Sequence, residues 1–130
     1  MKNKSLSIKS RFESFSHAFS GLADMLTTEP NAWIHGLVTV FVLSLSWWLR
    51  IERGSFALMI VAIVVVWSAE AFNTVLELMV DMVTSEKHSL AAKRAKDIAA
   101  AAVLIASLGA SLIGLVILGP PLSEKLATIF

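Results

Sequence analysis

Glu70, Asn73, Glu77 and Asp81 follow one another at steps of three, four and four residues. At 100° per residue they fall within an arc of roughly 80°, on one face of a single helix with Thr74 at its edge. Carboxylates so spaced repel one another unless cations stand between them. Hard divalent ions take oxygen ligands, and magnesium usually binds one or two carboxylates together with substrate phosphates. A second polar stretch supplies the opposite charge, with Lys93, Arg94 and Lys96 close to His88. Acids for a metal, bases for a phosphate and a carboxylate bordered by apolar chain together suggest phosphoryl transfer, where a protein mainly positions groups and stabilises charge. Sixteen uncharged residues, Gly54 to Ala69, precede Glu70. A carboxylate in that setting suits a general base. Neither a P-loop signature nor a GxGxxG loop occurs, so a nucleotide site has to be built from side chains on helices.

The elements that must position these residues follow from where charge is missing. Of 130 residues, 56% are hydrophobic and 16% charged, against roughly 25% charged in ordinary soluble domains. Uncharged runs extend from Trp33 to Leu49, Gly54 to Ala69 and Ile98 to Pro121. A bilayer core about 30 Å thick takes about 20 helical residues. The third run is long enough alone, whereas the second is clearly short. The second helix must therefore carry its charged continuation into the membrane interface. Starting near Ser55, it reaches Glu70 after about 22 Å, at the far shoulder of the bilayer. Buried helices of a soluble bundle also give apolar runs, but three of them in so short a chain argue for lipid. An ionisable residue inside a span costs about 2.5–3.5 kcal/mol or more, so it tends to face a partner, a cavity or a site.

The expected architecture is an all-α membrane protein forming one domain over residues 1–130. A surface helix at 5–27 precedes spans at 30–49, 55–83 (with a cytoplasmic extension) and 97–118. Ile8, Phe12, Phe15, Phe19, Leu22 and Leu26 recur at alternating steps of four and three, an apolar stripe opposite Lys9, Arg11, Glu13 and Asp24. A helix so patterned lies flat at a membrane surface. Thr27-Thr28-Glu29-Pro30 reads as a helix start, because proline suits the first turn, and Glu29 then stands at the mouth of the first span. Arg50, Glu52 and Arg53 make a tight turn, and Thr84 to Asp97 a longer polar loop. Lys2, Lys4, Lys9 and Arg11 share one side with Lys87, Lys93, Arg94 and Lys96, against Arg50, Arg53 and Lys125 on the other. Positive residues favour the cytoplasm, so the N-terminus and the 84–97 loop are expected there. Ala102, Ala106, Ala110 and Gly114, four apart, let helices approach closely in lipid. The largely polar first 32 residues give no sign of a signal peptide. A net charge of +1 without a basic stripe argues against nucleic acid, and the absence of cysteine excludes disulfides and thiolate chemistry.

With these residues assembled, the chain resembles the prokaryotic diacylglycerol kinase family, including its undecaprenol kinase branch. The resemblance rests on Glu-Ala-Phe-Asn-Thr-Val-Leu-Glu-Leu-Met-Val-Asp at 70–81, on Ser-Glu-Lys-His at 85–88 and on Ala-Lys-Asp-Ile-Ala-Ala-Ala-Ala-Val at 95–103. Ala18 to Leu22 and Thr28 to His35 match upstream, and the likeness runs from Arg11 to about Leu118. It implies an ATP-dependent lipid kinase in a prokaryotic cytoplasmic membrane, working as a homotrimer with sites shared between protomers. It further implies Glu70 as the catalytic base, and Glu29 and Glu77 as holders of a divalent metal such as Mg2+. Asn73 supports that site, while His17, Glu86, His88, Lys96 and Asp97 line the nucleotide region. Arg11 and Asp81 have the loosest assignments, to substrate or support. His88 and Lys96 stand eight apart, one more than the family spacing, and Ser20 and Ala23 replace residues often basic or bulkier. The Ala99 to Val103 run and the Asn31 to His35 segment look closer to the undecaprenol kinase branch, so undecaprenol is the acceptor the resemblance favours, with diacylglycerol as the runner-up. A non-catalytic trimeric module and an ion-coupled transporter are the readings from other classes. The transporter is disfavoured because the acids lie at one interface rather than at the midplane.

Overall fold

The computed structural model describes residues 8–84 and 89–130, and these form four helices: α1 (Ile8–Thr28), α2 (Pro30–Leu49), α3 (Arg53–Val83) and α4 (Leu90–Ile129). A single residue, Glu29, separates α1 from α2. Proline disfavours the helical conformation in the residue before it, and Glu29 is accordingly extended at φ −104° and ψ 112°, with Pro30 in the first turn of α2. Glu29 nonetheless donates its N–H to the Met25 carbonyl at 3.0 Å, which keeps the corner tight. Met25 and Ala32 are buried there. At the other end of α2, Arg50 takes a left-handed conformation (φ 52°) and its N–H caps Ser46 and Trp47 carbonyls. That closes the short turn into α3.

α3 and α4 make the main helix pairing, and α2 packs less extensively against both. The buried face of α3 runs through Met59, Ala62, Val66, Glu70, Asn73 and Thr74. One helical stripe thus begins apolar and turns polar at Glu70. Around it, large apolar side chains such as Val61, Val64, Val65 and Phe72 remain exposed. So much exposed hydrocarbon would be untenable in water. α2, α3 and α4 are each long and apolar enough to cross a membrane, and the chain is a multi-pass membrane protein. Phe12, Phe15 and Phe19 on α1 are exposed as well.

α4 departs from expectation at both ends. The polar stretch foreseen as a loop up to Asp97 is helical from Leu90, where Ser89 caps the helix by accepting the Ala92 N–H at 3.4 Å. Helix-forming Ala, Lys and Arg follow a good N-cap residue here, and their charge does not prevent a helix. At the far end α4 continues through Pro120 and Pro121 rather than stopping near 118. Its last turns fold against the end of α2, where Lys125 donates to the Trp48 carbonyl at 3.1 Å and stands 4.5 Å from the centre of the Trp48 ring. Lys125 therefore lies at the same end of the bundle as Arg50.

Candidate active site

Glu70 is 0% exposed. Neither of its carboxylate oxygens has a hydrogen-bond partner among the described residues, and the same holds for the buried Asn73 Oδ1. Native proteins rarely leave buried polar atoms in this state, and such orphans tend to mark a functional place. The backbone below is well held, since Thr74 donates its hydroxyl to the Glu70 carbonyl at 3.1 Å. The side chain is therefore fixed at its root, while its tip accepts no hydrogen bond from the described residues.

One turn further on, Asn73 donates through Nδ2 to Glu77 Oε1 at 3.2 Å. That bond orients the half-buried Glu77 carboxylate and leaves its second oxygen available. Glu29 reaches the same region from the α1–α2 corner, and both Glu29 and Glu77 lie within electrostatic reach of Glu70. Glu29 makes no side-chain capping bond to α2, so its carboxylate is not engaged in holding the helix. No three carboxylate or imidazole groups among the described residues form a complete metal cage. Two carboxylates with open oxygens suit an ion that takes its remaining ligands from water and a substrate phosphate, so the residues present fit magnesium.

Asp81 is exposed and pairs across helices with Lys96 of α4, Oδ1 to Nζ at 2.6 Å. Lys93 pairs with Asp97 one turn along α4. Lys96, one of the basic groups read from the sequence, thus stands beside the lower end of the acidic row, joined to it through Asp81. Arg11 and His17 lie exposed on α1, and among the described residues no hydrogen bond or ion pair ties them to this cluster. Glu86 and His88 lie outside the described residues.

One neighbour was missed from the sequence. His35 of α2 brings Nε2 to 3.7 Å from Glu70 Oε2. It is the one ionisable residue between Pro30 and Leu49, and an ionisable group within a span is itself a signal. Counting histidine as uncharged hid it. Beside His35 opens an apolar groove of about 570 Å³ between α2, α3 and α4, reaching as far as Leu122 and bordered by Ala110 and Gly114 of the small-residue row.

Fold and site together define a helical membrane protein with a sealed carboxylate, further acids and bases gathered at one end of its second span, and no glycine-loop cradle. Comparison with known proteins gives the family. Residues 16–118 match the family described as prokaryotic diacylglycerol kinase. The chain is 35% identical to a diacylglycerol kinase of Synechocystis sp. over 109 residues, 84% of this chain and 62% of that protein. It is 34% identical over 111 residues to the undecaprenol kinase of Bacillus subtilis, 85% of this chain and 89% of that one. Over 90 residues it is 31% identical to the diacylglycerol kinase of Escherichia coli, 69% of this chain and 73% of that enzyme. The chain thus spans less than two thirds of its Synechocystis relative. It belongs to the prokaryotic diacylglycerol kinase family, a family of lipid kinases.

Proposed function

We propose that this protein transfers the γ-phosphoryl group of ATP to the hydroxyl of a membrane lipid at the cytoplasmic interface, with undecaprenol as acceptor and diacylglycerol as the alternative. The observation that carries the reading is the fully buried Glu70, whose two oxygens accept no hydrogen bond from the described residues. In the reaction Glu70 takes the hydroxyl proton while the lipid oxygen forms its bond to the γ-phosphorus. The bond from that phosphorus to the bridging oxygen breaks, and ADP leaves with its electron pair. Exclusion of water around Glu70 favours the lipid hydroxyl over water as nucleophile.

Glu29 and Glu77 would hold magnesium, with Asn73 orienting Glu77, and the ion would neutralise charge on the phosphate oxygens. Lys96 and Asp97 lie on the nucleotide side, with His17, Glu86 and His88 as further contacts and Arg11 at the substrate or support position. Asp81 acts by holding Lys96. Asp81→Asn is expected to raise the KM for ATP about three- to tenfold with kcat little changed, since the exposed pair contributes only about 0.2–1 kcal/mol to the fold. Initial-rate measurements at varied ATP test this, and an unchanged KM removes Asp81 from the nucleotide site.

The same reading takes α1 as a surface helix seated on the membrane by Phe12, Phe15 and Phe19, with the N-terminus cytoplasmic. It also takes the protein as a homotrimer in the inner membrane, with sites shared between protomers. The exposed apolar faces of α2, α3 and α4 support it, because lipid and neighbouring copies would cover them. Near-equal identity to relatives named for each lipid leaves the choice of acceptor to experiment. Purified protein given ATP, magnesium and each lipid in turn is expected to phosphorylate undecaprenol faster than diacylglycerol. Faster turnover of diacylglycerol reverses the order, and no product from either lipid by folded protein overturns the kinase reading.

A further inference from the structure

We infer that His35 is a positioning residue for Glu70, holding the free end of that carboxylate by an Nε2–H contact from the neighbouring helix. The inference rests on the kinase reading for its consequence in turnover, though not for the contact itself. Glu70 is anchored at its backbone by Thr74, and nothing on α3 donates to its carboxylate. A carboxylate on a flexible two-carbon stem, unheld at its tip, samples several rotamers. A base displaced by about 1 Å can lose 10²-fold in rate, so something must hold it.

His35 is placed for that task. Its Nε2 stands 3.7 Å from Glu70 Oε2, a separation that a small ring rotation closes to a hydrogen bond, and its side chain is 16% exposed. The imidazole is itself braced. Trp67, one turn before Glu70 on α3, meets the ring edge-on with centroids 6.4 Å apart and planes at 60°. The Trp67 indole N–H in turn donates to Thr39 Oγ1 of α2 at 3.0 Å. Thr39 lies one turn after His35, so the four side chains tie α2 to α3 in a closed circuit: His35 to Glu70, Glu70 through the α3 backbone to Trp67, Trp67 to Thr39, and Thr39 through α2 back to His35. Indole bonding and edge-on contact fix the ring, and the ring fixes the carboxylate. The charged groups near this contact are Glu29 and Glu77, and neither carries a proton donor that could replace Nε2–H when ionised.

Three substitutions separate polar from packing roles. His35→Gln can place an amide N–H near the position of Nε2, His35→Asn stops short of it, and His35→Phe keeps a ring beside Trp67 without a donor. With ATP, magnesium and the preferred lipid, His35→Phe and His35→Asn are expected to lose tenfold or more in kcat with the KM for ATP changed less than twofold. His35→Gln is expected to recover most of the loss. A kcat within twofold of wild type in His35→Asn overturns the proposal, as does a His35→Gln enzyme as slow as His35→Asn. A readout independent of turnover is the infrared carboxyl band of Glu70, assigned by its disappearance in Glu70→Gln. That band is expected to shift in His35→Asn and to return in His35→Gln, and an unmoved band in His35→Asn also overturns the contact. Should wild-type protein phosphorylate no lipid, the kinase reading fails while the infrared comparison still decides whether His35 holds Glu70.

Discussion

Glu70→Gln is expected to reduce phosphoryl transfer by at least about 10²–10⁴-fold, the range that general acid–base catalysis supplies, while leaving the fold intact. Glutamine has nearly the shape of glutamate but cannot take a proton from a hydroxyl. The site explains why the fold should survive. Glu70 is sealed from solvent and its oxygens accept no hydrogen bond from the described residues. A buried polar group left unmatched costs about 1–3 kcal/mol, and a charged one more, so losing the charge removes an unfavourable feature. Thermal unfolding in detergent should therefore give a midpoint equal to or above that of wild type, while product formation falls to background. A stable enzyme that is inactive is the signature of a residue kept for function at some cost in stability. Near-normal turnover would remove Glu70 as the base.

Glu77→Gln should act differently, through the metal. Its carboxylate is oriented by Asn73 at 3.2 Å, and an amide in its place offers one weaker, neutral oxygen. We expect the magnesium concentration for half-maximal activity to rise by about 10–100-fold or more, since loss even of a group that merely orients a ligand has effects of that size. Asn73→Ala should shift the same curve by a smaller amount, because it frees Glu77 without removing it. Saturating magnesium should recover part of the rate in Asn73→Ala and less in Glu77→Gln. If neither curve moves along the magnesium axis, Glu77 does not hold the ion.

Much of the candidate site's arrangement could be read before any coordinates because its spacing is local. Residues three and four apart share a helix face whatever surrounds them, so Glu70, Asn73, Glu77 and Asp81 had to form a row once α3 was helical. The Thr-Thr-Glu-Pro helix start was legible for the same reason, since the restriction before proline is steric and acts between neighbours. The loop expected up to Asp97 was a misreading of local signals. Ser89 followed by Leu, Ala, Ala, Lys and Arg is a capped helix start, because helix propensity and an N-cap outweigh the charge of the segment. The end of α4 is another matter. Prolines within a helix usually stop it, and the docking of Lys125 on Trp48 is a contact across 77 residues that no local pattern announces.

Sequence alone thus determined that three apolar helices carry this chain and that four polar residues share one face of the second. Both follow from composition and helical period, which act over a few residues at a time. Tertiary structure decided how that row divides: Glu70 and Asn73 are sealed, Glu77 is held by its neighbour, and Asp81 is spent on Lys96. It also decided that His35, the sixth residue of α2 and remote from Glu70 in sequence, comes within 3.7 Å of the Glu70 carboxylate. Burial and cross-helix contact depend on how helices pack, and packing is set by all of their surfaces together rather than by the spacing along any one of them.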